Sequence, residues 1–382
     1  MSQAAEADHY CEGRARVDLG GGFFRPDSRP ARDLTVLLAR LQASSGPVKL
    51  LDLMAGCGIR SLRCALEAGV TTLWANDADP DRLALLRRNL QALPAAVDQR
   101  CTARSALQVL ATCLQNRERF DLLDLDAFGC PSALVPLALE AVAFEGILVL
   151  ASSDGRSPTG HDRPAAVRRL GASARAHPAS WELALRLQVG VIARTAWAMG
   201  HGLDPLLCFS EGRTFRTAVR LRRRCRPGEE RNLGLIAHCH RCGDQQVQPL
   251  LTLRAWAPCL CGAAGGALAI SGPLWIGPLQ QPMALEQLQQ EAERSPESLA
   301  AAGQRLLRRL SADAGDTARC WPTALIGRCL GGGPPPLAEL VETLRQRGHQ
   351  ASCSGVMEGQ LRSGAPWGEI LAIAADLTAS RH

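Results

Sequence analysis

The stretch Val48–Asp77, VKLLDLMAGCGIRSLRCALEAGVTTLWAND, decides the fold. VKLLDLM reads as a buried strand, GIRSLRCALEAG as a helix ended by Gly69, and TTLWAND as a second strand. Asp52 lies within the first strand, and Gly56 and Gly58 stand at its end. Glycines there let the chain turn tightly and approach a ligand. A dinucleotide loop would carry a third glycine where this chain has Ser61. Asp77 follows Gly58 by nineteen residues, where a carboxylate can accept hydrogen bonds from both ribose hydroxyls or cap the next helix. Glycine turn and acid together predict a nucleoside-type cofactor, with Gly56, Gly58 and Asp77 as binding residues.

Outward from this unit the alternation continues. DPDRLALLRRNLQAL is a helix, DQRCTA a weak third strand, SALQVLATCLQN a helix, RFDLLDLD a fourth strand, PSALVPLALEAVAFEG a helix and ILVLASSD a fifth strand. Strands alternating with helices imply a parallel sheet covered on both faces, with ligands at the strands' carboxyl ends. A long polar connection with a short helix follows, then the helix SWELALRLQVGVIARTAWAMG. LDPLLCFSEG and RTFRTAVRLRRR are two strands joined at Glu211–Gly212. A closing hairpin after five parallel strands, with Ser61, argues against a nicotinamide enzyme. It predicts a Rossmann-like α/β sheet of the class I S-adenosylmethionine (AdoMet) methyltransferase type. The expected organisation is a catalytic domain over residues 1–231 with an N-terminal arm to 46, a zinc-bearing segment over 232–282, and an α+β RNA-binding domain over 283–382. ALEQLQQEAERSPESLAAAGQRLLRRLSADAG reads as two helices, and a helix follows the GGGPPP break.

The fourth strand ends in FDLLDLDAFGCP, Phe120–Pro131. Burying charge costs several kcal/mol unless it is paired, so Asp124 and Asp126 either cap a helix or meet a ligand. Acid, aromatic and proline stand where a methyl donor's reactive end would lie. An aromatic amine is a poor nucleophile because its lone pair is delocalised. An acceptor can orient it and take up the released proton, and in-line placement supplies more of the rate. Several methyltransferases of exocyclic amines place a D/N-P-P-Y/F motif here, and DLDAFGCP resembles it; the resemblance implies Asp126 as the acceptor and Phe128 as the stacking ring.

Composition fits a soluble globular chain: 382 residues, 46% apolar and 21% charged. No run of eighteen apolar residues occurs, and the acidic, polar start lacks a secretory h-region, so a cytoplasmic location is expected. No protein partner is inferable. Net charge is +6, and Lys49 is the only lysine. Arg213–Arg231 holds eight arginines and two acids, a basic run that predicts RNA contact. Arg220, Arg222 and Arg224 are the expected phosphate-binding residues there, with Arg362 further on.

Of fifteen cysteines, most are expected to be scattered buried thiols. Cys239-x2-Cys242 and Cys259-x-Cys261 differ: two close pairs near turns suit a closed tetrahedral zinc site with a structural role. His238 and His240 flank the first pair and are alternative ligands.

The motifs resemble, in order and spacing, the tRNA guanine-26 N2-dimethyltransferase family. AGCGIRS resembles its glycine loop, Asn76-Asp77 its N-D, DLDAFGCP its D-x-D-P-F/Y-G-S-P, and SSDG its T-D-G. FFRPDSRPARD keeps Phe24, Pro26, Arg32 and Asp33 of an early motif, GPLWIGPL is intact, and GQLRSGAPW resembles G-I-K-T-x-A-P-W with Arg362 in place of lysine. The resemblance runs from about Glu12 to Trp367. It implies AdoMet contacts from Arg32, Arg60 and Asp77, methylation of guanine N2 in tRNA by way of an extruded base, and a zinc site at the cysteines. The family's D-A-N corresponds to Thr102-Ala103-Arg104, where only the alanine is kept; Thr102 and Ala103 are the expected adenine-end positions. Ala127 replaces proline and Cys130 replaces serine beside the acid. Two other functions stay open: a non-catalytic RNA-binding protein on the same fold, and an exocyclic-amine methyltransferase with another substrate.

Overall fold

The computed structural model describes residues 9–262, 268–313, 315 and 317–379. The acidic start, residues 1–8, lies outside them. The chain opens with a hairpin, β1 (His9–Glu12) and β2 (Ala15–Asp18), and a helix, α1 (Arg29–Ala43). Then come β3 (Val48–Asp52), α2 (Ile59–Glu67), β4 (Val70–Asp77), α3 (Leu83–Leu90), β5 (Asp98–Ala103), α4 (Ala106–Asn116), β6 (Phe120–Ala127), α5 (Val135–Ala141) and β7 (Val142–Ser152). Two helices, α6 (Arg163–Leu170) and α7 (Ser180–Ala198), lead to the hairpin β8 (Gly202–Glu211) and β9 (Thr214–Arg222).

These strands form one sheet in the order β5-β4-β3-β6-β7-β9-β8. Pairings from β5 through β7 are parallel, and β9 runs antiparallel to both β7 and β8. Winding reverses between β3 and β6, which opens the ligand crevice at their carboxyl ends. Alternate residues serve opposite faces. Leu50 and Leu122 join α1, α2 and α3 in one core, while Leu51, Leu123 and Leu125 join α4, α5 and α7 in the other. By the same alternation Asp124 and Asp126 stand on the α2 face.

Two expectations need correction. The helix after β6 stops at Ala141, and β7 starts four residues before Gly146, because Val142 and Phe144 favour strand and Val142 pairs with Phe120. The hairpin turn falls at Gly212–Arg213, since Glu211 still pairs with Thr214. Within the N-terminal arm, α1 buries Leu34, Leu37, Leu38 and Leu41 at helical spacing.

Beyond the main sheet, β10 (Leu233–His238), β11 (Gln245–Pro249) and β12 (Ala269–Trp275) form a three-stranded sheet in the order β11-β10-β12. Helices α8 (Pro282–Arg294) and α9 (Ala301–Ser311) bury Leu285, Leu288, Leu306 and Leu310 in the same core as α1. The last elements are β13 (Cys320–Pro322), α10 (Thr323–Leu330), α11 (Leu337–Gln346), β14 (Ala351–Cys353), β15 (Gln360–Ser363) and α12 (Trp367–Ala379). They have a core of their own around Trp321, Leu340, Leu361 and Trp367. Two cores therefore receive the residues after 282, and the elements from β13 to α12 are called the C-terminal unit below. No helix among the described residues is long and apolar enough to cross a membrane.

Candidate active site and metal centre

Gly56 and Gly58 both take positive φ, and a Cβ on Gly58 would meet Leu86 at 2.7 Å, so only glycine fits this turn. The Gly56 amide donates to Asp77 Oδ2 at 2.9 Å and the Asp79 amide to Oδ1 at 3.0 Å, which fixes the acid at the end of β4. Ser61 explains the missing third glycine: its hydroxyl donates to the buried Asp52 at 2.7 Å. Thr102 is turned inward. Its hydroxyl donates to Asn76 Oδ1 and accepts from the Trp74 indole, both at 2.8 Å, while Ala103 ends β5 beside Asp77.

Arg60, in the first turn of α2, reaches β6. One terminal nitrogen donates to Asp124 and the other to Asp126 Oδ2 at 2.8 Å. Arg216 on β9 donates to the same Asp126 oxygen at 3.1 Å. Among the described residues nothing donates to Asp126 Oδ1, and the side chain keeps 28% of its surface exposed. Burial alone would raise the Asp126 pKa, but the charges and hydrogen bonds of Arg216 and Arg60 outweigh it and hold the carboxyl far below the usual range. Asp124 behaves oppositely. Full burial, with Asp52 and Asp126 nearby, outweighs Arg60 and pushes it up to about 7.

Phe128 follows directly and is 79% exposed. Its ring meets Phe23 edge-on at 5.2 Å, and Arg25 lies over Phe23 at 5.3 Å. The loop carrying Phe128 is stapled to β7 although Ala127 stands where the family has proline. The Gly129 amide donates to Ser153 Oγ at 2.7 Å, and Ser152 Oγ donates to the Gly129 carbonyl at 2.9 Å. Asp154 of SSDG accepts from the amides of Arg156 and Ser157, so it caps its own loop.

Arg32 lies within a buried network. It donates to both oxygens of Glu12 and to the Arg25 and Pro26 carbonyls, while Arg63 bridges Glu12, Asp33 and Glu67. It braces the chain that carries Phe23 and Phe24. Of the expected RNA-contacting arginines, Arg224 is exposed and Arg220 half-buried. Two are corrected. Arg222 is buried against Asp204 and Glu229. Arg362 is 1% exposed and donates to Glu182, Asp313 and the Thr317 carbonyl. β9 and β15 are buried along nearly their whole length, and carboxylates satisfy the two guanidiniums there.

Arg216 and its anchor Glu211 were not singled out from sequence as site residues. Strand alternation was the available signal, because it puts Arg216 on the inward face with Ala218.

The four cysteines converge: the sulfurs of Cys239, Cys242, Cys259 and Cys261 lie within 4.8 Å of one another. Cys259–Cys239 is 3.5 Å and Cys239–Cys261 is 4.0 Å. Four thiolates around a tetrahedral zinc-sized ion would stand about 3.8 Å apart, so the set fits a metal. His238 and His240 are not part of this cluster. Two turns form it. The Gly243 amide donates to the Cys239 carbonyl, and the Gly262 amide to that of Cys259. The first turn is held from the C-terminal unit. Trp367 donates to the Cys242 carbonyl at 2.7 Å and Trp321 to that of Gly243 at 2.9 Å, the two rings stacked at 5.1 Å.

A β5-β4-β3-β6-β7-β9-β8 sheet, a glycine turn opposite a ribose-type acid and an acid–aromatic loop at the switch point define a class I methyltransferase. The family model described as N2,N2-dimethylguanosine tRNA methyltransferase matches residues 17–375, and the chain belongs to this family. It is 29% identical over 361 residues to the tRNA (guanine(26)-N(2))-dimethyltransferase of Methanosphaerula palustris, covering 94% of this chain and 91% of that one. It is likewise 29% identical over 351 residues to the enzyme of that name from Pyrobaculum neutrophilum, covering 91% and 90%. Trm1 from Pyrococcus horikoshii, solved with S-adenosyl-L-methionine, superposes with a TM-score of 0.80 at 25% identity, covering 96% of this chain and 99% of that one.

Proposed function

We propose that the chain methylates the exocyclic N2 of guanine 26 in tRNA, once and then again, from AdoMet. The single observation that carries this reading is the state of Asp126: one oxygen is held by two arginines, nothing among the described residues donates to the other, and the exposed ring of Phe128 follows two residues on. AdoMet supplies an electrophilic methyl group on sulfonium. Gly56 and Gly58 leave room for it at the end of β3, Asp77 holds its ribose, and Arg60 borders its methionine end. Thr102 is committed to Trp74 and Asn76, so the adenine end is bordered there by backbone and Ala103.

The target base must leave its stack, at a cost of a few kcal/mol. Phe128, already exposed, offers a face for the extruded purine. Asp126 Oδ1 accepts one N–H of the amine and turns its lone pair toward the methyl. The amine forms the new C–N bond, the sulfur–methyl bond breaks to leave the thioether, and the surplus proton passes to water. With two guanidiniums on Oδ2, Asp126 acts as a fixed acceptor and not as a resting store for that proton. Phosphate contacts position the tRNA by shape; Arg224 and Arg220 belong to that surface. The four cysteines hold zinc, which ties the β10–β11 turn to the C-terminal unit.

Transfer of labelled methyl from AdoMet to unmodified tRNA tests the reading, with nucleosides identified by mass spectrometry. Wild type gives dimethylguanosine at one position, and Asp126→Ala loses transfer by about 10³-fold. Transfer that survives the substitution would remove Asp126 from the chemistry. Retained tRNA binding with no transfer by wild type would favour the non-catalytic alternative.

A further inference from the structure

We propose that Arg216, anchored by Glu211, is the positioning residue of Asp126: it fixes one carboxylate oxygen and leaves the other for the target amine. This rests on the reading of Asp126 as the acceptor.

The geometry comes from sheet register. Asp126 pairs with Ala151, and Ala151 pairs with Arg216, so the three residues lie in one row on one face. Neighbouring strands are about 4.8 Å apart, so Arg216 must reach across roughly 10 Å to meet the acid. Only a methyl group, that of Ala151, stands between them. Arg216 is 4% exposed, unlike Arg223 and Arg224 of the same basic run, and cannot serve solvent-side phosphate. Its Nε donates to Glu211 Oε2 at 2.9 Å, and Glu211 Oε1 accepts from the Ala31 amide at 3.1 Å. A line of bonds therefore runs from the first turn of α1 through Glu211 and Arg216 to Asp126.

Arg60 cannot do this alone. The charged groups facing Asp126 are Arg60 from α2, Asp124 on its own strand, Asp52 from β3, Arg216 from β9 and Glu211 behind it. Without Arg216, one guanidinium would face three carboxyls. The acid would turn more freely, and burial with the facing carboxyls would raise its pKa above the ordinary carboxylate range, as they do for Asp124. Because the folded pKa is depressed, the ionised acceptor persists as pH falls in wild type and is lost at higher pH in the variant.

The experiment measures methyl transfer to unmodified tRNA from pH 4.5 to 9, with AdoMet affinity by calorimetry, for wild type, Arg216→Met, Arg216→Lys, Glu211→Gln and Asp126→Ala. Arg216→Met is expected to lose about 100-fold in kcat, keep its AdoMet affinity and show an acid limb at higher pH than wild type. Arg216→Lys recovers most of the rate and moves the limb back. Glu211→Gln keeps an acceptor for Ala31 but loosens the hold on Arg216, and gives a smaller loss of kcat at unchanged AdoMet affinity. A wild-type pH profile in Arg216→Met overturns the proposal, as does a loss confined to KM for tRNA. If Arg216→Met fails to fold, a wild-type kcat in Glu211→Gln overturns it instead. Asp126→Ala inactive beside an unaltered Arg216→Met sinks this proposal alone, whereas an active Asp126→Ala sinks the acceptor reading with it.

Discussion

Two arginine–carboxylate clusters in this protein are made of the same groups and do opposite things. At the end of β6, Arg60 and Arg216 meet on one oxygen of Asp126 and leave the other unengaged, with the side chain 28% exposed. At β15, Arg362 engages Glu182 and Asp313 through every guanidinium nitrogen and is 1% exposed. The first cluster is unsaturated and open, which suits a binding site. The second is saturated and closed, which suits a latch between α7 and the C-terminal unit. Composition does not separate them. The number of satisfied hydrogen-bonding positions does.

Removing half of the closed cluster should have the largest effect. Arg362→Ala leaves Glu182 and Asp313 buried beside an empty space and should cost about 3–5 kcal/mol in chemical denaturation. If it instead weakens tRNA binding at unchanged stability, Arg362 belongs to the surface and the contrast collapses. The same cluster has a pH signature. Burial raises the Glu182 pKa, but Arg362 and Arg186 lower it further, so its folded value lies below the unfolded one. Its contribution is complete above about pH 4.5 and is lost as pH falls through the folded value. Glu182→Gln should flatten the acid side of the stability curve.

Metal removal comes next, because the cysteine turn is the other tie to the C-terminal unit. Adding zinc at a hundredfold excess over its Kd to metal-free protein should raise stability by about 2.7 kcal/mol. The fluorescence of the stacked Trp321–Trp367 pair should report it. An unchanged denaturation curve would leave the cysteines as plain thiols.

The open cluster and its surroundings should show smaller effects on stability and clear ones on turnover. Phe128→Ala should cost roughly 10-fold in kcat/KM, about 1.4 kcal/mol for a lost stacking partner, at unchanged AdoMet affinity. A fall in melting temperature instead would make Phe128 structural. Smallest of all, Arg224→Ala should weaken tRNA binding a few-fold and reduce the salt slope by about one. Arg222→Ala should lower stability without that slope change, since Arg222 is spent on Asp204 and Glu229.

The site was legible where chemistry and local pattern coincide. Gly56, Gly58, Asp77, Asp126 and Phe128 were read as strand-end positions from apolar runs and turn residues, and each falls at or just beyond the end of β3, β4 or β6. The cysteine pairs announced themselves by spacing and do converge. What failed was the reading of arginine. Arg216, Arg220, Arg222 and Arg224, on β9 and just beyond it, are one basic run in the sequence, yet the first is part of the acid's clamp, the third a buried ion pair and the fourth exposed. Arg32, expected at the cofactor, has a buried partner that the sequence did not announce, Glu12, twenty residues away in the chain. A guanidinium is long enough to serve solvent or interior from the same backbone position, so its partner settles its role.

By itself the sequence determined the order of strands and helices from β3 to β9, the glycine turn, the acid at the end of β6 and the cysteine pairs. These depend on side-chain periodicity and on backbone conformations that few residues can adopt. Only the tertiary structure decided which charges are closed and which are open: Arg216 reaching across Ala151, Glu12 under Arg32, Glu182 and Asp313 around Arg362. Coulomb and hydrogen-bond energies depend on distance and burial, and neither is written along the chain.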